Sequence, residues 1–157
     1  MGRLIADKYE LVSELSTGVL GTVYSARHVL LGTAARVTLL PARLNDQTEE
    51  VAAFQAGTRA AIRRAHPNIA RLLDVGRDRE RYYVVEELVE GPDLGARLAA
   101  ERALAPPDAL ALTAQLASAL AYAHDQGVIH GSVHPRVVLL AVTAPVRGVR
   151  AGLGLVL

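Results

Sequence analysis

The stretch Ala121-Tyr-Ala-His-Asp-Gln-Gly-Val-Ile-His-Gly-Ser-Val-His-Pro-Arg-Val-Val-Leu-Leu140 carries an Ala/Leu-rich helix through a loop of His, Gly and Pro into an apolar run. Gly127 reads as the stop of that helix, since glycine takes the left-handed conformation that ends helices without strain. His130, His134 and nearby His124 are imidazoles of the kind that bind Zn²⁺, but no carboxylate or thiol joins them from the same loop. Ser132 beside His130 or His134 has the residue types of a nucleophile and its base, but nothing orients the base, so the serine reads as loop filler. From Gln126 to Leu157 there is no Asp, Glu or Asn. A hard cation such as Mg²⁺ takes oxygen ligands, usually carboxylates, and this part of the chain cannot hold one in the usual way.

Working outward, the 157 residues are enough to bury a core, and 51% of them are hydrophobic. Mean hydropathy is positive, which implies apolar surface that needs a cover. A net charge of +1 with scattered signs gives no electrostatic footprint for nucleic acid or an anionic membrane. With no cysteine, disulfides and thiolate metal sites are excluded. The N-terminus meets charge after Leu4-Ile5-Ala6, unlike a signal peptide or anchor. Val137 to Leu157 is long enough for a membrane span, but Arg147 and Arg150 near its centre would cost about 5 to 7 kcal/mol to insert. It reads instead as paired strands, and the chain is expected to be cytoplasmic.

In chain order, Tyr9–Leu15 and Leu20–Val29 alternate as strands joined through Ser16-Thr17-Gly18-Val19, and Ala34–Leu40 is a third. Thr48 to Ala65 has helical spacing, with Thr48 as N-cap and Glu49-Glu50 in the first turn. Arg59, Arg63 and Arg64 make a basic face that reads as solvated. Ile69–Val75 and Arg81–Glu86 are expected as two more strands around the polar turn Gly76–Glu80. After Gly91-Pro92-Asp93 the composition turns helical: Asp93 to Arg102, then a long helix from Pro106 to about Gln126. Its Leu110, Leu112, Leu116, Leu120 and Tyr122 lie nearly all round, which predicts burial on most sides. Short strands are expected at Val128-Ile129, Val137–Val142 and Val146–Arg150.

Several motifs in this order resemble those of the bacterial Ser/Thr protein kinase family, from about Tyr9 to the end. Ser16-Thr-Gly-Val-Leu-Gly-Thr-Val23 resembles the glycine-rich loop G-x-G-x-x-G-x-V, with Ser16 for the first Gly. His66-Pro-Asn-Ile69 resembles the turn after the regulatory helix, and Tyr83 to Gly91 the strand and hinge that hold adenine. His130-Gly-Ser-Val-His-Pro-Arg-Val137 keeps the frame of H-R-D-x-K-P-x-N. The resemblance implies an α+β, protein-kinase-like fold. Its five-stranded antiparallel N-lobe with one helix spans 1–87, and the first part of an α-rich C-lobe spans 88–157. The hinge falls at about 87–92, and the chain ends near the D-F-G-like position Gly152-Leu153-Gly154.

The same resemblance implies that the catalytic positions are degenerate. Thr38 falls at the phosphate-binding Lys, Gly57 at its Glu partner, Ser132 at the catalytic Asp, Val137 at the Mg²⁺-binding Asn and Gly152 at the D-F-G Asp; Gly131 replaces Arg. Lys8 is the only lysine in the chain. Ser16, Gly18, Gly21 and Val23 remain a weak candidate nucleotide loop, because backbone N–H groups alone make a weak phosphate site. Strand alternation puts Arg36 and Thr38 on one face and Val37 and Leu39 in the core. Arg36 and Glu86 fall at the small adenine-contacting residue and the gatekeeper, and are expected to pair and plug the pocket, since either charge buried alone is costly.

No cofactor and no metal are expected, with ATP bound without Mg²⁺ as the residual possibility. The expected function is that of a catalytically inactive kinase-like domain, a pseudokinase, acting as a protein-interaction or regulatory module. Its expected partner is an active kinase, a signalling protein or a second copy through the apolar C-terminal face. The alternative is a divergent Ser/Thr kinase that binds ATP and transfers phosphate, and the third is a degenerate fragment without independent function.

Overall fold

The computed structural model describes residues 3–18, 21–42, 66–131, 133–141 and 150–153, the last four by their backbone. The chain divides into two compact units: residues 1–64 with 71–88, and residues 65–70 with 89–157. The helix expected at Thr48–Ala65, with its basic face, lies outside the described residues, as do Gly57 and Ser132.

The first unit is built on a six-stranded sheet, β1 (Leu4–Ile5), β2 (Tyr9–Gly18), β3 (Gly21–His28), β4 (Ala34–Leu39), β5 (Leu72–Asp78) and β6 (Arg81–Glu87), in the order β1-β2-β3-β4-β6-β5. Every neighbouring pair is antiparallel. One face is closed by Ile5, Tyr9, Leu11, Ala26, Ala35, Val37, Leu39, Tyr83 and Val85, all buried in one cluster. The alternation of β4 is the clearest cause: Ala35, Val37 and Leu39 point into that cluster, leaving Arg36 and Thr38 on the other side.

Four details differ from the expected strands. Strand β2 runs to Gly18 and not Leu15, because Ser16, Thr17 and Gly18 find ladder partners in β3, and β5 starts at Leu72 and not Ile69. Strand β1 adds a sixth strand to the five expected; two residues are too short to show an alternation. It turns back through Ala6 and Asp7, both at left-handed φ (51° and 54°), with Lys8 N–H donating to Ile5 C=O, as in a tight primed turn. Strand β5 runs through Asp78, and the expected turn at Gly76–Glu80 shrinks to its tip, where Arg79 takes the positive φ. Polar Gly76, Arg77 and Asp78 stay in the ladder because β6 gives each a partner; Arg77 lies 5.6 Å from the ring centroid of Tyr82. A Cβ at Gly76 would meet the Tyr83 hydroxyl.

The second unit holds α1 (Leu94–Glu101), α2 (Pro106–Asp125), a 3₁₀ turn at Pro135–Val137 and the antiparallel pair β7 (Val138–Ala141) and β8 (Arg150–Leu153). Asp93 caps α1 by accepting from Ala96 N–H at 2.8 Å. Gly127, at φ 74°, ends α2 as expected. Val128-Ile129 is not a strand: Val128 N–H closes back on Ala123 C=O. Among the described residues β7 pairs with Arg150–Leu153, in the register Val138↔Leu153, and the rest of the strand expected at Val146–Arg150 lies outside them.

Burial on most sides of α2 is also overturned. Leu112 and Ala119 are buried with Val138 and Leu140, and Ile69, Leu94, Leu104 and Val137 pack around them, but Leu110 is 72% exposed. The described residues supply partners for one side of this helix only, and apolar spacing cannot say where partners are. Among the described residues no helix is long and apolar enough to cross a membrane.

Candidate functional site

Thr38 and Arg36 project from β4 on the face away from the buried cluster. Thr38 stands opposite Val23 of β3 and Val84 of β6; Arg36 stands opposite Ser25 and Glu86. Arg36 Nε lies 4.0 Å from Glu86 Oε2, with the side chains 20% and 4% exposed. The pairing expected from the sequence is therefore present. At that distance it is an ion contact and not a hydrogen bond. Among the described residues Arg36 Nε and Nη1 are buried without a hydrogen-bond partner. A guanidinium so desolvated depends on Glu86 for its counter-charge.

The only lysine is held elsewhere in the first unit. Lys8, just after the β1–β2 turn, places Nζ 3.5 Å from Asp74 Oδ2 on β5. The Tyr9 hydroxyl donates to the same oxygen at 3.2 Å, and Asp74 Oδ1 accepts from Val75 N–H at 2.8 Å. Burial first, then the negative charge of Asp74 and the hydrogen bond to it, push the Tyr9 phenol up to about 12. Burial likewise raises Tyr83, helped by Asp74 and Asp78. Sequence reading missed this cluster, in which Tyr9 and Asp74 are 65 positions apart. The one available signal was a lone lysine beside a strand and a lone acid inside another.

The candidate nucleotide loop is a hairpin end. Ser16 pairs with Val23 and Gly18 with Gly21, and Thr17 Oγ1 donates to Glu14 Oε1 at 2.9 Å. Gly21, at φ 123°, is required: a Cβ there would run into the carbonyl of Leu39.

In the second unit, the described residues between His130 and Leu140 are held by backbone, capping and packing contacts. Gly131 takes a left-handed φ of 71°. His134 caps the 3₁₀ turn, its Nδ1 accepting from Arg136 N–H at 3.3 Å. Val137 packs on the core, Val138 and Leu140 are buried, and Leu140 N–H donates to Pro92 C=O at 2.9 Å. Gly152 pairs with Leu139. Ile129, just before the loop, is 81% exposed. Among the described residues no group of three or more His, Cys, Asp or Glu could hold a metal ion.

Residues 9–147 match the protein kinase domain family. The chain belongs to the protein kinase family. It is 29% identical over 140 residues to the serine/threonine-protein kinase PrkC of Bacillus subtilis, covering 89% of this chain and 22% of that protein. It is 34% identical over 152 residues to the serine/threonine-protein kinase PkaA of Streptomyces coelicolor, covering 90% and 28%. Among solved structures it resembles the kinase domain of Mycobacterium tuberculosis PknI, with TM-score 0.81 and 26% identity over 98% of this chain and 61% of that one. The fold is therefore protein-kinase-like. The chain spans about a quarter of the length of the curated relatives it matches. Within a kinase-family frame the sheet of the first unit is the curled N-lobe, and Thr38 sits on the strand where the resemblance expects the phosphate-binding lysine.

Proposed function

We propose that this chain is a kinase-like domain that has given up phosphoryl transfer and works by binding a protein. The observation that carries the reading is on β4: Thr38 faces out between Val23 and Val84, and the chain's single lysine, Lys8, is engaged by Asp74. Phosphoryl transfer works by positioned charge, and a threonine hydroxyl cannot supply the cation that a nucleotide's phosphates need. The Arg36–Glu86 pair adds to this by placing two charges at positions the family resemblance gives to adenine contacts. In the acid-free stretch beyond Gln126, Val137 and Gly152 offer no side-chain oxygen for Mg²⁺.

The partner is a protein that covers apolar surface such as Leu110 and Ile129: an active kinase, another signalling protein or a second copy. We place the protein in the cytoplasm. Light scattering across a concentration series tests self-association; a monomer at every concentration removes the second copy from this set.

A second reading, a divergent kinase that still transfers phosphate, is favoured by the relatives, which are named serine/threonine-protein kinases, and by the retained Gly18–Gly21 hairpin. Thermal unfolding with ATP and Mg²⁺ separates the two, because a ligand that binds the native state raises its stability. The pseudokinase reading expects no metal-dependent shift.

A further inference from the structure

Three described histidines use their rings alike. His28 Nδ1 accepts from the backbone N–H groups of Leu30 and Leu31 (3.2 and 3.3 Å), His66 Nδ1 from Asn68 N–H (3.1 Å) and His134 Nδ1 from Arg136 N–H (3.3 Å). Each ring fills the place that an Asp, Asn or Ser oxygen takes in other turns. A ring nitrogen accepts only when it carries no proton, so these turns are closed by neutral imidazoles with the hydrogen on Nε2.

His66 goes further than the other two, because its second nitrogen is also engaged. Nε2 lies 3.2 Å from Ser118 Oγ on α2, and with Nδ1 accepting, Nε2–H is the donor. The ring lies against Tyr122, with centroids 5.2 Å apart and planes 32° from parallel. Asn68 Nδ2 donates to Gln115 Oε1 at 2.9 Å. Gln115, Ser118 and Tyr122 follow one another at helical spacing, so one face of α2 receives both His66 and Asn68.

We propose that His66 is an acid-sensitive clasp fastening the 66–70 turn to α2, closed with a neutral ring and opened by a proton on Nδ1. The proton would set two donors, Nδ1–H and Asn68 N–H, against each other, while Nε2–H keeps its bond to Ser118. The loss therefore falls on the turn and not on the helix. Tyr122 is the titratable group in contact with the ring; Asp125, one turn further along the same face, is the nearest carboxylate of α2 by spacing. Asp108, at the other end of the helix, is paired with Arg97 at 3.7 Å, and His124 projects away from the Tyr122 face. Within 66–70 no other residue is charged; Arg71 follows it, and β7 has no ionisable side chain. This turn is a short piece of the second unit set in the sequence between stretches of the first. The clasp makes its attachment depend on pH.

Amide hydrogen exchange on the intact chain tests this, corrected for intrinsic rates and compared at about pH 7.5 and about pH 5. Losing one hydrogen bond predicts that protection of the Asn68 amide falls about fivefold to tenfold, with that of Leu112 unchanged. His66→Gln removes the pH dependence, and Ser118→Ala lowers protection at both ends of the range while keeping it. Constant Asn68 protection in the unaltered chain, or an equal fall in His66→Gln, overturns the proposal. Imidazole nitrogen shifts of the unaltered chain give a second check that needs no variant: Nε2–H is expected at neutral pH, and Nδ1–H contradicts the clasp.

Discussion

The two faces of strand β4 differ in character. Ala35, Val37 and Leu39 point into a closed apolar cluster, as a kinase-like sheet needs. Arg36 and Thr38, one position away, carry an ion contact with Glu86 and a hydroxyl between two valines. Packing and chemistry are thus carried by alternate residues of the same six-residue strand. Because side chains alternate across a sheet, the residues of one face can change while the other still holds the fold.

The largest effect expected is on the packed face. Leu39→Ala should cost about 2 to 5 kcal/mol of unfolding free energy by denaturant titration, whereas Thr38→Ala should stay within about 0.5 kcal/mol. Equal costs would break the contrast between the faces. Next comes Glu86→Ala, which leaves the Arg36 guanidinium buried without its counter-charge and should cost about 2 to 4 kcal/mol, the lower bound reflecting the part of Arg36 still open to solvent. The double variant Arg36→Leu/Glu86→Leu should recover most of that loss, since it removes both charges of the pair together. A double variant as unstable as Glu86→Ala alone would show that the pair contributes more than mutual neutralisation.

A smaller effect concerns the packed side at alkaline pH. The Tyr9 phenol is held up to about 12 in the folded chain, against an ordinary value of 10.0. Between those values the folded state keeps a proton that the unfolded state releases, so stability is full below the lower value and falls as pH rises through the higher one. Tyr9→Phe should flatten that fall in pH-dependent unfolding. An unchanged slope would mean that another group titrates there.

Much of this was legible in the sequence, and for identifiable reasons. Val37 and Leu39 alternate with Arg36 and Thr38 over enough residues for the period to speak, whereas the expectation that Arg36 meets Glu86 came from the family resemblance and not from the period. Gly127 and Asp93 marked the ends of helices by chemistry that is local. What could not be read depended on partners. Leu4-Ile5 is too short for a pattern and becomes a strand only because Tyr9 and Glu10 pair with it. Gly76, Arg77 and Asp78 look like a turn, yet lie in a ladder because β6 continues beside them. The exposure of Leu110 follows from where α2 finds neighbours, and the meeting of Lys8, Tyr9 and Asp74 from tertiary folding.

The loss of nucleotide chemistry proposed above rests on the face carrying Arg36, Thr38 and Glu86. The most direct measurement is thermal unfolding of the chain titrated with ATP, with and without Mg²⁺. A face without that chemistry gives one unfolding temperature across the titration in both conditions. A saturable rise that requires Mg²⁺ would contradict it, because it would mean that the chain holds a metal–nucleotide complex without the lysine and carboxylates expected to do so.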